Sequence, residues 1–133
     1  MKNRMLILDG LNMFYRSYIV NPSLSSNGQP IGGLVGFLAS LQKLCRETKP
    51  SHVVIAWDGA EELQNKMWQN MRLFEYINMM PVSQIMIDKI EADDIIAVIA
   101  NSPYTKKYQK IIVSSDKDFI QLCDDNTVLL RPI

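Results

Sequence analysis

Residues 5–10 read Met5-Leu6-Ile7-Leu8-Asp9-Gly10, and residues 53–59 read Val53-Val54-Ile55-Ala56-Trp57-Asp58-Gly59. In both stretches a continuous apolar run halts at an Asp-Gly pair. A short run with no polar alternation is the pattern of a strand covered on both faces, because neither set of side chains meets water. Met5–Leu8 and Val53–Trp57 therefore predict two buried strands, each closed by a carboxylate. Ile111–Val113 repeats the pattern and runs into Ser114-Ser115-Asp116-Lys117-Asp118, and the segment Val82–Ile87 after Pro81 is also strand-like.

Between these runs the apolar period changes. Leu34, Phe37, Leu38, Leu41, Leu44 and Cys45 recur at i, i+3, i+4 and i+7, one face of a helix that must close before Pro50. Leu11–Val20 reads as helix, and residues 21–33, rich in Ser, Asn, Gly and Pro, read as a loop. Glu61 to about Asn78 is amphipathic, with Leu63, Met67, Phe74 and Ile77 on one side. Glu91-Ala92-Asp93-Asp94 opens a helix through Ala100, with acids where the helix dipole favours them. Phe119–Cys123 is short and helix-like. Alternating strands and helices imply an α/β fold with a mainly parallel sheet and helices on both faces. Such sheets bind ligands beyond the carboxyl ends of their strands, the edge at which every strong strand here runs into acids.

At 133 residues and 47% hydrophobic content, the expectation is a single domain over 1–133. Fourteen basic and fourteen acidic side chains cancel, so no whole-chain field draws the protein to DNA or to a membrane, and nucleic-acid affinity has to come from a local site. The basic start, Met1–Arg4, precedes an apolar run that Asp9 and Asn12 interrupt before it reaches signal-peptide length. No stretch approaches the roughly 18 apolar residues of a membrane span. Cys45 and Cys123 lie among apolar residues in helix-like segments and read as buried thiols of a reducing compartment. A cytoplasmic monomer is expected.

Asp9, Asp58, Glu91, Asp93, Asp94, Asp116 and Asp118 are the carboxylates that this topology gathers at one rim. Each alone has an ordinary reading: Asp-Gly as a turn, Asp93 and Asp94 as dipole partners, Asp116 as a cap, Glu91 as a solvated loop residue. Together they would repel one another unless cations neutralised them. Hard Mg²⁺ or Mn²⁺ suits an all-oxygen site, and one His and two Cys argue against zinc. Two such ions can activate water and stabilise the leaving oxygen in phosphodiester hydrolysis. Arg16 and Lys117 are candidate phosphate contacts that read equally well as surface residues. His52 reads as structural, Ser114 and Ser115 lack a His partner, and the eight Met read as core filler.

Taken in order, LILDGLNMFYRSY (6–18), SSNGQPIGGLVGFLASL (25–41), VVIAWDG (53–59), IEADDIIAVIA (90–100) and IIVSSDKDFIQL (111–122) resemble the motifs of the 5′-nuclease or flap-endonuclease family, whose core is PIN-like. That family includes the 5′-to-3′ exonuclease domain of bacterial DNA polymerase I and bacteriophage 5′-nucleases such as phage ribonuclease H. The resemblance implies Asp9, Asp58, Glu91, Asp93 and Asp116 as catalytic metal-site carboxylates, with Asp94 and Asp118 in the same constellation and Arg16 near the substrate phosphate. It implies Mg²⁺- or Mn²⁺-dependent cleavage, with two ions in the complete enzyme, of DNA carrying a 5′ end or flap or of RNA primers in RNA-DNA hybrid. Replication proteins are then possible partners and a bacterial or phage-infected cytoplasm the setting.

Two departures accompany the resemblance. Family members carry a basic arch after the strand-two Asp, whereas Asp58-Gly59-Ala60 passes directly into Glu61-Glu62. Either the arch is lost or its residues, between about Ala60 and Glu61, are not part of this sequence. The sequence also stops at Ile133, before the further aspartates of a second metal site and a helical DNA-binding module. Two other readings stand beside the leading one: a PIN-type endoribonuclease acting on single-stranded RNA, and a non-catalytic nucleic-acid-binding module.

Overall fold

A computed structural model describes residues 3–20, 32–59 and 71–132. In chain order the elements are β1 (Asn3–Asp9), α1 (Gly10–Val20), α2 (Gly32–Thr48), β2 (His52–Trp57), α3 (Met71–Asn78), β3 (Ser83–Met86), α4 (Ala92–Asn101), β4 (Tyr108–Val113) and β5 (Thr127–Leu130). Short 3-10 helices at Pro103–Thr105 and Lys117–Leu122 flank β4. The loop expected over 21–33 and the helical start expected at Glu61 fall largely outside the described residues.

All five strands are parallel, in the order β3-β2-β1-β4-β5. β1 sits in the middle and its last five residues are buried, which is why it reads as an unbroken apolar run. Its side chains divide by the two-residue period of a strand. Leu6 and Leu8 join Phe37, Leu41, Ile55, Trp57 and Ile77 in one core layer under α1, α2 and α3. Met5 and Ile7 join Ala56, Ile96, Ile112 and Phe119 in the other, under α4 and the second 3-10 helix. The chain builds outward from β1 through β2 to β3, then crosses back to place β4 on the other side of β1. The order of winding therefore reverses between β1 and β4, the position where open α/β sheets leave a crevice.

Trp57 anchors the first layer at 1% exposure. Its ring stacks on Phe37 with centroids 5.7 Å apart and meets the edge of Phe74 at 4.9 Å, while its Nε1–H donates to Gln84 Oε1 at 2.8 Å. Gly10 makes this packing possible, since a Cβ there would lie 2.7 Å from the indole.

Three expectations need correction. Cys123 is exposed, because it follows a 3-10 helix that turns Phe119 inward; Cys45 is half-buried, and both thiols are free. The helix-like segment expected over 119–123 is a 3-10 helix that spans Lys117–Leu122, with Cys123 as its C-cap. β5 is a strand that the apolar pattern does not announce. Among the described residues no helix is long and apolar enough to cross a membrane.

Candidate metal centre

Register sets the rim. Asp9 lies level with Ala56 on β2, and Leu8 lies level with Val113 on β4, so Asp9, Asp58 and the turn 114–116 emerge side by side at the carboxyl edge. A backbone clamp adds the fourth segment: Gly59 N–H donates to Ile90 O at 2.8 Å and Lys89 N–H to Gly59 O at 2.9 Å. That clamp holds the start of α4, with Glu91 and Asp93, against the end of β2.

Asp9 is 8% exposed and both of its carboxylate oxygens have a partner. Ser114 Oγ donates to Oδ2 at 3.0 Å, and the Asn12 backbone N–H makes a longer contact to Oδ1 at 3.4 Å. Asp116 caps the following 3-10 helix, accepting from the Asp118 N–H at 2.9 Å, and its own N–H donates to Ser114 Oγ at 3.1 Å. Asp58 is half-buried; its Oδ1 is enclosed and has no hydrogen-bond partner among the described residues. Glu91 flanks α4 in an extended conformation, its side chain makes no cap bond, and Asp93 stands in the first turn.

These carboxylates feel one another. Burial raises the Asp9 pKa against the opposing hydrogen bonds from Ser114 and Asn12, and the charges of Asp58 and Asp116 raise it further. Asp93 keeps an exposed edge, yet desolvation and then the charges of Asp9, Asp116, Glu91 and Asp58 push it from 3.8 up to about 6. Five of the seven expected acids, Asp9, Asp58, Glu91, Asp93 and Asp116, therefore share one electrostatic neighbourhood. Asp94 and Asp118 are exposed and are not among the leading charges that raise Asp9 or Asp93. Among the described residues no three acids, His or Cys stand close enough to form a ready-made cage for one ion, and like charges without a counterion favour such spreading.

No described cation answers this charge. Arg16 on α1 is half-buried and Lys117 exposed, and the ion pair found among the described residues is Lys43–Glu47, at 3.9 Å on the surface of α2. Ser114 and Ser115, set aside above for want of a His partner, and Asn12, noted only for ending an apolar run, join the hydrogen bonds of this rim. Asn12 Nδ2 donates to Ser115 Oγ at 2.5 Å and the Ser115 N–H to Asn12 Oδ1 at 3.2 Å. The only available signal was their adjacency to the strand-terminal acids. His52 is exposed, with Ser51 Oγ 3.1 Å from its Nδ1 and the Tyr108 ring at 5.1 Å, away from the acids.

The repulsion predicts an inverted pH response. A carboxyl group whose folded pKa is raised favours the fold while protonated and ceases to do so as pH rises through that pKa. With Asp93 going from 3.8 to about 6 and Asp9 shifted in the same direction, this rim should cost the metal-free protein stability as pH rises from about 4 to 7. Melting of chelator-treated wild type and an Asp93→Asn variant across that range checks it: the two curves should converge toward pH 4 and separate, with the variant more stable, toward pH 7. Parallel curves would show that Asp93 is not under this strain.

An open, all-parallel α/β sheet with acids gathered at its carboxyl edge, beside the winding reversal, defines an α/β protein whose candidate site lies at that edge. The comparisons narrow it: the sequence model of the 5′-3′ exonuclease N-terminal resolvase-like domain matches residues 4–73 and 61–132, and the chain belongs to this family. It is 28% identical to a 5′-3′ exonuclease of Aquifex aeolicus, over 96% of this chain and 50% of that protein. It is 34% identical to the flap endonuclease Xni of Shewanella loihica, over 90% of this chain and 52% of that one. The fold matches a bacteriophage T5 5′-exonuclease mutant with a TM-score of 0.72 at 19% identity, covering 98% of this chain and 50% of that chain. It also matches a T5 flap endonuclease in a pseudo-enzyme-product complex with DNA and metal ions, with a TM-score of 0.72 at 15% identity, over 97% and 55% of the two chains. The chain thus spans about half the length of these exonuclease and flap-endonuclease relatives.

Proposed function

We propose that this chain is the metal-binding core of a divalent-metal-dependent 5′-nuclease that hydrolyses phosphodiester bonds at 5′ ends or flaps of DNA, or in RNA-DNA hybrid. The observation that carries this reading is the enclosed, unpartnered Asp58 Oδ1 beside a buried Asp9 whose pKa is raised in part by Asp58 and Asp116. A buried acceptor without a donor is costly, and a hard cation satisfies it and the surrounding charge together. An all-oxygen donor set fits Mg²⁺ or Mn²⁺. Asp9, Asp58, Asp116, Asp93 and Glu91 would hold the ions; Asp94 and Asp118 would have to act from further out. Bound there, such ions supply Lewis-acid stabilisation of a phosphate and lower the pKa of water.

The chain's own residues contribute the rest. Asp9, pinned through both oxygens, offers a fixed ligand. A phosphate would approach from the carboxyl edge of the sheet, with Lys117, exposed at the start of the 3-10 helix after β4, and Arg16 on α1 as candidate partners for its oxygens. The Aquifex and Shewanella relatives are named as exonuclease and flap endonuclease, and a fold relative was crystallised with DNA and metal ions. These names favour structured DNA over the single-stranded RNA of a PIN-type endoribonuclease. A 5′-flap duplex assayed beside single-stranded RNA, with Mn²⁺ or Mg²⁺, decides between them; cleavage of the RNA alone would overturn the reading. The arch reading falls next to residues 60–70, outside the described residues.

DNA affinity should then be low. Counterion release by Lys and Arg drives non-specific binding, and a formal net charge of +0 leaves few such contacts. The 133-residue chain is expected to bind duplex DNA more weakly than about 10⁻⁵ M at physiological salt, inside or beyond the usual non-specific range. Fluorescence anisotropy across a salt series measures it; tight binding with a steep salt slope would show a basic surface that the charge balance conceals.

A further inference from the structure

We propose that Ser114 and Asn12 are positioning residues: they form a hydrogen-bonded bracket that fixes Asp9 relative to the turn carrying Asp116, so that the two acids can close on a shared cation. The inference rests on the metal-centre reading above and extends it to two uncharged side chains. A serine hydroxyl has one proton to give and lone pairs to accept with. Ser114 gives its proton to Asp9 Oδ2 at 3.0 Å and accepts the Asp116 N–H at 3.1 Å, so one oxygen ties the carboxylate of β1 to the backbone that carries the next acid. It is 1% exposed, where water does not compete for these bonds.

Asn12 closes the bracket from the other side. Its amide is donor and acceptor at once, and Ser115 uses both functions, at Oγ (2.5 Å) and at the backbone N–H (3.2 Å). An aspartate would lack the donor and a leucine would lack both. Through these contacts the first turn of α1 is fastened to the turn after β4, two segments 103 to 105 residues apart in sequence, at the place where the winding reverses. Each Asp9 oxygen is thereby engaged once and retains a lone pair for a cation. Holding a ligand by hydrogen bonds to its own oxygens is how groups behind a metal's direct ligands set its affinity.

Calorimetric titration of the 133-residue chain with Mn²⁺, alongside melting of each variant in chelator, tests the bracket. Ser114→Ala should weaken Mn²⁺ binding about 10–100-fold, and Ser114→Thr, which keeps the hydroxyl, should return it to within a few-fold of wild type. Asn12→Ala should weaken binding in the same direction. It also decides the matter if the buried Ser114 variants fail to fold. Wild-type affinity in a folded Ser114→Ala or Asn12→Ala, or a folded Ser114→Thr as weak as Ser114→Ala, would overturn the bracket and leave the metal centre standing. A wild-type chain that takes up no Mn²⁺ would overturn the metal centre, and the bracket's role with it.

Discussion

Replacing Asp116 by Asn in the complete protein is expected to reduce metal-dependent flap cleavage by well over 10²-fold, more than the 10–100-fold typical of losing a partner behind a metal ligand. The substitution is chosen because it separates charge from structure. Asp116 caps the 3-10 helix Lys117–Leu122 through its bond from the Asp118 N–H, and Asn caps about as well as Asp. Its backbone bond to Ser114 Oγ does not involve the side chain and is kept. What disappears is one of the negative charges that raise the pKa values of Asp9 and Asp93. The metal-free variant should therefore melt at or above the wild-type temperature while losing Mn²⁺ affinity and turnover. Wild-type turnover in Asp116→Asn would remove this residue from the site; loss of turnover with a collapsed fold would assign it to the cap alone.

Gly59→Ala is expected to be the most damaging of the small substitutions at this edge. An added Cβ would lie 1.7 Å from Ile87 O and 2.9 Å from Ile90 O, and both are backbone atoms that no rotamer change can move aside. The chain must open the two clamp bonds between Gly59 and residues 89–90. Lys89, at φ 64 in the left-handed region, is already conformationally constrained in that turn. Strain together with the lost hydrogen bonds places the destabilisation at about 3–5 kcal/mol, the upper range for a single substitution. Urea denaturation of the two proteins measures it. The variant should also lose Mn²⁺ affinity, because the clamp sets Glu91 and Asp93 beside Asp58. A loss below about 1 kcal/mol would mean that the turn accommodates the methyl by shifting as a unit.

The contrast between the acids that act on Asp9 and Asp93 and those that stand apart shows what a sequence carries. β1, β2 and the end of β4 were legible because burial on both faces leaves only apolar residues to read, and the acids were legible because they end those runs. β4 begins earlier than its apolar stretch, at Tyr108, since Lys110 is buried with its Nζ turned to Thr105 O at 3.3 Å, and a lysine reads as surface. β5 is four residues long at the sheet's edge, with alternate residues exposed, too short to register as a pattern. Asp93 and Asp94 are neighbours in sequence but about 100° apart around a helix, so one can face the rim while the other faces water. Spacing alone does not fix that rotation. The partners of Ser114 and Asn12 lie more than a hundred residues away, a pairing that neither charge nor a nucleophile motif announces. Gly59 looked like half of a turn, whereas its partner is the loop before α4.

The central placement of β1 bears on how the protein is made. Its two neighbours are β2, which begins at His52, and β4, whose pairing runs from Asn3↔Tyr108 to Leu8↔Val113. During synthesis one side of the strand acquires its partner early, while the other presents unpaired N–H and C=O groups until the fourth strand has emerged. An open edge of this apolar composition is a template for any extended segment, its own or a neighbour's. Loop closure over such a span has to precede the contacts that reward it. The same crossing that creates the crevice thus leaves the nascent chain with a long interval of vulnerability to mispairing and aggregation, during which chaperone holding or rapid completion of the sheet determines the yield of folded molecules.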